Sequence, residues 1–97
     1  MIYMRTIRQR IIDLLRQEAM TALDISQAVR VAEKDVYRHL AHIEKTMAGQ
    51  GRKLTFSPST CLACGFTFTH RRRLTRPGRC PQCRNTRINH PLFRIDD

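Results

Sequence analysis

The sequence has no tryptophan, only 6% aromatic residues and eight acidic side chains against eighteen lysines and arginines. Between Arg52 and Arg94 there is no acidic residue at all. Ninety-seven residues allow one ordinary domain or two very small ones. A segment of about 50 residues struggles to bury enough apolar surface alone, and below about 40 it usually needs a metal, a disulfide or a partner. No apolar run approaches the roughly 18 residues that cross a bilayer, so no membrane partner is expected. The opening MIYMRTIRQR lacks an apolar stretch followed by a small-residue cleavage site, so a secretion signal is not expected. A cytoplasmic location follows, where cysteines serve more often as metal ligands than as disulfides. Glycine-rich phosphate loops, helix-spaced carboxylate pairs and internal repeats are absent, and the chain is not expected to be an enzyme.

What is abundant is positive charge. The formal net charge is +10 and the sequence pI about 10.8, which points to a polyanionic partner. The charge is unevenly spread: residues 1–49 carry a net +2 and residues 50–97 a net +8. All four cysteines and all four prolines also lie in the second part. The composition changes at Gly49-Gln50-Gly51, which reads as a hinge because glycine tolerates unusual backbone angles. Two units are expected, 1–53 and 54–97, giving an α+β fold.

Ile7, Ile11, Leu14 and Leu15 recur at helical steps, predicting an amphipathic helix over roughly 5–17. Thr21 with Asp24 three residues on forms a short-armed capping box, and Met20 with Ile25 a hydrophobic staple. The helix they start buries Ala22, Ile25 and Val29 and stops around Arg30-Val31-Ala32. A third helix fits Glu33 to Met47, with Val36, Leu40, Ile43 and Met47 on one side; Ala32 is a weak cap for it. Lys34, Arg38, Ala41 and Lys45 then point outward, flanked by Tyr37 and His42. Cations around one small residue suit a helix in a major groove, although every small helical domain also has a solvated face.

The segment TALDISQAVRVAEKDVYRHLAHIEK resembles the winged helix-turn-helix of prokaryotic transcriptional regulators. The resemblance implies a three-helix DNA-binding unit with Glu33–Met47 as recognition helix and Lys34, Tyr37, Arg38 and His42 at contact positions. Lys45 lies on the same face, and Arg52 and Lys53 follow where the flanking backbone would be met. A full wing needs a hairpin, yet only Gly51 to Phe56 is available before Pro58. The wing is therefore expected to be short or to be completed by the second unit.

The cysteines carry the strongest signal. Cys61-Leu62-Ala63-Cys64 and Cys80-Pro81-Gln82-Cys83 are two knuckles fifteen residues apart. Four thiolates from two such knuckles form the tetrahedron that structural Zn²⁺ accepts. Gly65 suits the sharp turn after the first pair, and Arg84 is the less comfortable equivalent in the second. Iron in a four-sulfur site has the same spacing, whereas disulfides are disfavoured in the cytoplasm and a redox pair would call for a βαβ unit. One structural Zn²⁺ held by Cys61, Cys64, Cys80 and Cys83 is expected, with no open position for catalysis. The core of this part is too small to replace it, so 50–97 should need metal to fold. Phe66–Thr69 reads as a strand, Arg76–Arg79 as a turn, and Ile88, Leu92, Phe93 and Ile95 as further apolar side chains of the ribbon.

With SPSTCLACGFTF, RPGRCPQC and RINHPLFRI, the whole chain resembles small prokaryotic regulators that fuse a helix-turn-helix to a zinc ribbon. The resemblance implies a DNA-binding regulator; the leading reading is a double-stranded DNA binder and transcriptional regulator to which Arg71, Arg72, Arg73, Arg76, Arg79, Arg84 and Arg87 add phosphate contacts, only some of them able to face one duplex. Two rivals fit the same residues: an RNA-binding or ribosome-associated module, and a module docking on a transcription-complex protein. Many helix-turn-helix proteins act as dimers, but no coiled-coil segment is present, so the sequence leaves monomer and homodimer open. His39 and His42, three apart, and His70 and His90 in the ribbon are assigned no ligand role.

Overall fold

The computed structural model describes residues 6–69 and 73–96. Three helices, α1 (Ile7–Gln17), α2 (Ala22–Val29) and α3 (Glu33–Gly49), precede two short strands, β1 (Lys53–Phe56) and β2 (Phe93–Asp96). Local chemistry sets each boundary. The Thr21 hydroxyl accepts from Asp24 N–H while the Asp24 carboxylate accepts from Thr21 N–H, closing the expected capping box of α2. Thr6 and Gln9 build the same box at α1, a start that hydrophobic spacing alone had placed a residue or two earlier. Ala32, in extended backbone, offers α3 no side-chain cap.

The stops are made by backbone. Arg30 takes the left-handed conformation (φ 59°) that ends α2, and Val31 N–H reaches back to the Ser26 carbonyl at 3.2 Å. At the end of α3, Gly51 (φ 72°) lets Arg52 N–H bond the Met47 carbonyl at 2.8 Å and its own N–H bond Ala48 at 3.3 Å. The segment expected to be a hinge is thus a hydrogen-bonded helix cap.

One core joins the helices and both strands. Ile11, Leu15, Met20, Ala22, Ile25, Val29, Val36, Leu40, Ile43 and Met47 are buried together with Leu54, Leu74, Phe93 and Ile95. The strand 53–56 therefore does not close a local hairpin. It pairs antiparallel with the end of the chain, Lys53 opposite Asp96 and Phe56 opposite Phe93. On its other edge β2 exchanges two backbone bonds with Met20, at 3.0 and 2.7 Å, which tie it to the α1–α2 connection. The division expected at 53/54 falls inside β1, and both strands pack on the helices, because Phe93, Ile95 and Leu54 complete the apolar face the helices leave open. Leu92, expected among the ribbon's apolar side chains, is exposed.

Beyond Phe56 the pairing continues outward. Ser57 N–H bonds the Leu92 carbonyl, Asn89 N–H the Thr60 carbonyl and Leu62 N–H the Arg87 carbonyl, at 2.8–3.1 Å. Segments 53–62 and 87–96 thus run side by side from the helical core to the cysteines, in a molecule of 54 × 28 × 20 Å. The strand expected at 66–69 is reduced to a single bridge between Thr67 and Thr60, with Phe66 and Phe68 edge to face at 5.0 Å.

Candidate functional site

The two cysteine pairs fold alike, residue for residue. In the first knuckle Cys61 N–H bonds the Phe66 carbonyl (2.8 Å) and Gly65 N–H the Cys61 carbonyl (2.9 Å); in the second, Cys80 N–H bonds Asn85 and Arg84 N–H bonds Cys80, both at 2.9 Å. The fifth residue of each takes positive φ, 81° at Gly65 and 63° at Arg84, as expected of the equivalent positions. Cys61 and Cys80 are buried, Cys64 and Cys83 exposed.

The four sulfurs lie within 4.8 Å of one another. Across the knuckles, Cys61 Sγ is 3.6 Å from Cys83 Sγ, and Cys64 Sγ is 3.6 Å from Cys80 Sγ. A tetrahedron with metal–sulfur bonds of about 2.3 Å has edges near 3.8 Å, so the set fits one ion of that size. Without a cation among them, the sulfurs differ in how readily they ionise. The Cys64 N–H turned toward Cys61 Sγ pulls that thiol down to about 7. Phe66 N–H does the same for Cys64, but burial and the three neighbouring sulfurs outweigh it and push that thiol up to about 12. For Cys83, Asn85 N–H and Cys64 lower the pKa, while desolvation, Cys61 and Cys80 outweigh them and raise it overall. Four thiolates at this spacing call for a cation among them. These residues hold one structural Zn²⁺, which supplies cross-linking of the two knuckles.

Among the positions proposed for nucleic-acid contact, Lys34, Arg38, His42 and Lys45 are exposed along α3, whose apolar Val36, Leu40, Ile43 and Met47 are all buried. Arg38 makes one solvent-exposed ion pair, 3.6 Å from Asp35, worth little in water. Tyr37 is placed differently. It is half-buried against the core, and its hydroxyl receives the backbone N–H of Arg76 from the ribbon; burial, then Glu33, raise its pKa. Lys53 is exposed at the start of β1, and Arg52 half-buried beside it. His39 accepts from Arg8 Nε at 3.3 Å, and burial together with that guanidinium lowers its pKa. Among the ribbon arginines, Arg73, Arg76, Arg79, Arg84 and Arg87 are exposed; Arg71, Arg72 and His70 lie outside the described residues.

Arg76 has a role the sequence does not single out: its Nη1 donates to the Ile88 carbonyl at 3.1 Å. Nothing in the sequence separates it from its neighbours in an arginine-rich stretch, because the distinction lies in where Leu74 anchors the loop.

Three helices and a two-stranded sheet extended into a four-cysteine ribbon define an α+β zinc-ribbon protein. Residues 6–55 match the family described as PF0610-like, N-terminal, and residues 58–97 match the PF0610 rubredoxin-like zinc beta-ribbon domain. The chain belongs to the PF0610-like family. Its fold is similar to the solution structure of protein PF0610 from Pyrococcus furiosus, with a TM-score of 0.78 and 24% identity over 100% of this chain and 97% of that one. No curated protein matches the chain. Among the described residues no helix is long and apolar enough to cross a membrane.

Proposed function

We propose that this chain is a zinc-containing DNA-binding transcriptional regulator. In this function α2 and α3 act as a helix-turn-helix, α3 enters the major groove, and the β1–β2 pair stands where a wing would. The observation that carries it is the sorting of α3: every buried side chain is apolar, while Lys34, Arg38, Ala41, His42 and Lys45 share the exposed side. Arg and Lys there can meet phosphates or guanine edges, and Ala41 lets the backbone approach. Four thiolates and one dication lower the formal charge of +10 by two, leaving a strongly basic molecule. The absence of acidic side chains from Arg52 to Arg94 keeps the flanking ribbon attractive to phosphate throughout.

Selection of bound sequences from random duplex DNA and, in parallel, random RNA, using zinc-loaded protein, tests the function. An enriched duplex motif is expected, with affinity falling with salt at a logarithmic slope of about −5 if five or six phosphates are contacted. A palindromic motif would indicate a homodimer. Arg38→Ala should blur the motif; an undiminished sequence preference in that variant would remove α3 from the interface. Enrichment of RNA alone would replace DNA by structured RNA as the partner. Weak binding without preference in both pools would leave docking on a transcription-complex protein.

A further inference from the structure

The ribbon is fastened to the helical unit at two separate places. The first is the ladder of segments 53–62 and 87–96, which enters the core through Leu54, Phe93 and Ile95. A two-stranded ladder by itself twists strongly and stands without support from a third strand. One such attachment leaves the zinc end free to swing.

The second attachment is the stretch after Arg73. Leu74 is buried in the helical core, and Pro77 is buried three residues on. Between them Arg76 bridges three elements: its backbone N–H meets the Tyr37 hydroxyl on α3, and its guanidinium bonds the Ile88 carbonyl at 3.1 Å. Ile88 in turn forms an antiparallel bridge with Cys61, a zinc ligand. A continuous line of contacts therefore joins α3 to the metal knuckle through the backbone and side chain of Arg76. On the helix surface Tyr37 neighbours Lys34 and Ala41, three and four residues away, and Arg38 follows it directly.

We propose that Arg76 is a positioning residue: it bolts the zinc ribbon alongside the outer face of α3, so that Arg73 and Arg79 and the α3 cations form one polyanion-binding surface of fixed geometry. Tyr37 is its counterpart on the helix and serves the ribbon instead of the ligand. The proposal rests on the nucleic-acid function above.

Two variants of the zinc-loaded full chain test it. Tyr37→Phe removes only the hydroxyl that receives the Arg76 N–H and leaves the charge unchanged; Arg76→Gln removes the guanidinium. Residual dipolar couplings report whether ribbon and helices tumble as one body. The wild type should fit a single alignment tensor, and both variants should show ribbon couplings reduced relative to those of the helices, with zinc stoichiometry unchanged. In duplex binding, Tyr37→Phe should move the salt slope from about −5 toward −3, as ribbon phosphates are lost without loss of a charge. A single tensor retained in both variants overturns the interlock, as does an unchanged slope when the couplings collapse. A wild type that binds no nucleic acid removes the function itself, whereas loss of the interlock alone leaves wild-type binding intact.

Discussion

Two backbone positions show how much a single side chain decides in a small fold. Gly65 and Arg84 occupy equivalent places in the two knuckles with φ of 81° and 63°, where a side chain costs about 1–2 kcal/mol. No atom lies within 4 Å of a Cβ placed on Gly65, so the cost of Gly65→Ala comes from the backbone alone. Gly65→Ala should lower stability by about 1 kcal/mol or more. Arg84→Gly should raise it by about 0.5–1 kcal/mol, the relief being partly offset by the greater freedom of glycine in the unfolded chain. Thermal melts of the zinc-loaded protein would check both, and shifts of the same sign would contradict the equivalence. A similar gain is available at Ala32, already in the extended backbone of an N-cap. Ala32→Ser should add about 1 kcal/mol, a rise of some 4–8 °C in Tm for a chain of this size. These positions were readable from residue type and spacing, because capping and left-handed turns are local.

At the scale of elements, the hydrophobic periodicity located all three helices and their buried faces, but it did not show that β2, within the ribbon stretch, packs on the helices. Phe93 and Ile95 were read with the ribbon because they follow it in sequence. They are buried among helices more than forty residues away, a placement that no local pattern encodes. Phe93, fully buried, should cost about 3–5 kcal/mol when replaced by Ala. The decisive readout is where the loss falls: amide exchange should accelerate in α1 and α2 as well as in β2. Confinement of the effect to residues 57–96 would contradict a shared core. The short Gly51–Phe56 segment likewise finds its strand partner at residues 93–96 and not in a local hairpin.

For the whole molecule, zinc and the helical core stabilise different stretches. The sequence suggested that 50–97 would need metal to fold, yet both strands are held by the helices. Losing the ion frees the knuckles on the 57–92 loop, whose closure costs about 3 kcal/mol plus a constant and on which Leu74 is buried in the helical core. Against it stand Phe93, Ile95 and Leu54, each worth about 1.5–3 kcal/mol in burial. Chelation should therefore leave 6–56 and 93–96 protected from amide exchange while the knuckles around Cys61 and Cys80 exchange freely. Protection that persists around Cys61 and Cys80 after metal removal would show that the ribbon folds without its ion. Protection lost throughout would show that the strands depend on it.

By itself the sequence determined the helices, their caps, the four sulfurs and the surplus of positive charge, because each arises from residues a few positions apart or from a simple count. Only the tertiary structure decided that the last strand completes the first core, that Tyr37 faces the ribbon, and that one arginine among many bridges the two. Those choices depend on which distant surfaces meet when apolar area is removed from water, and no local spacing records that meeting.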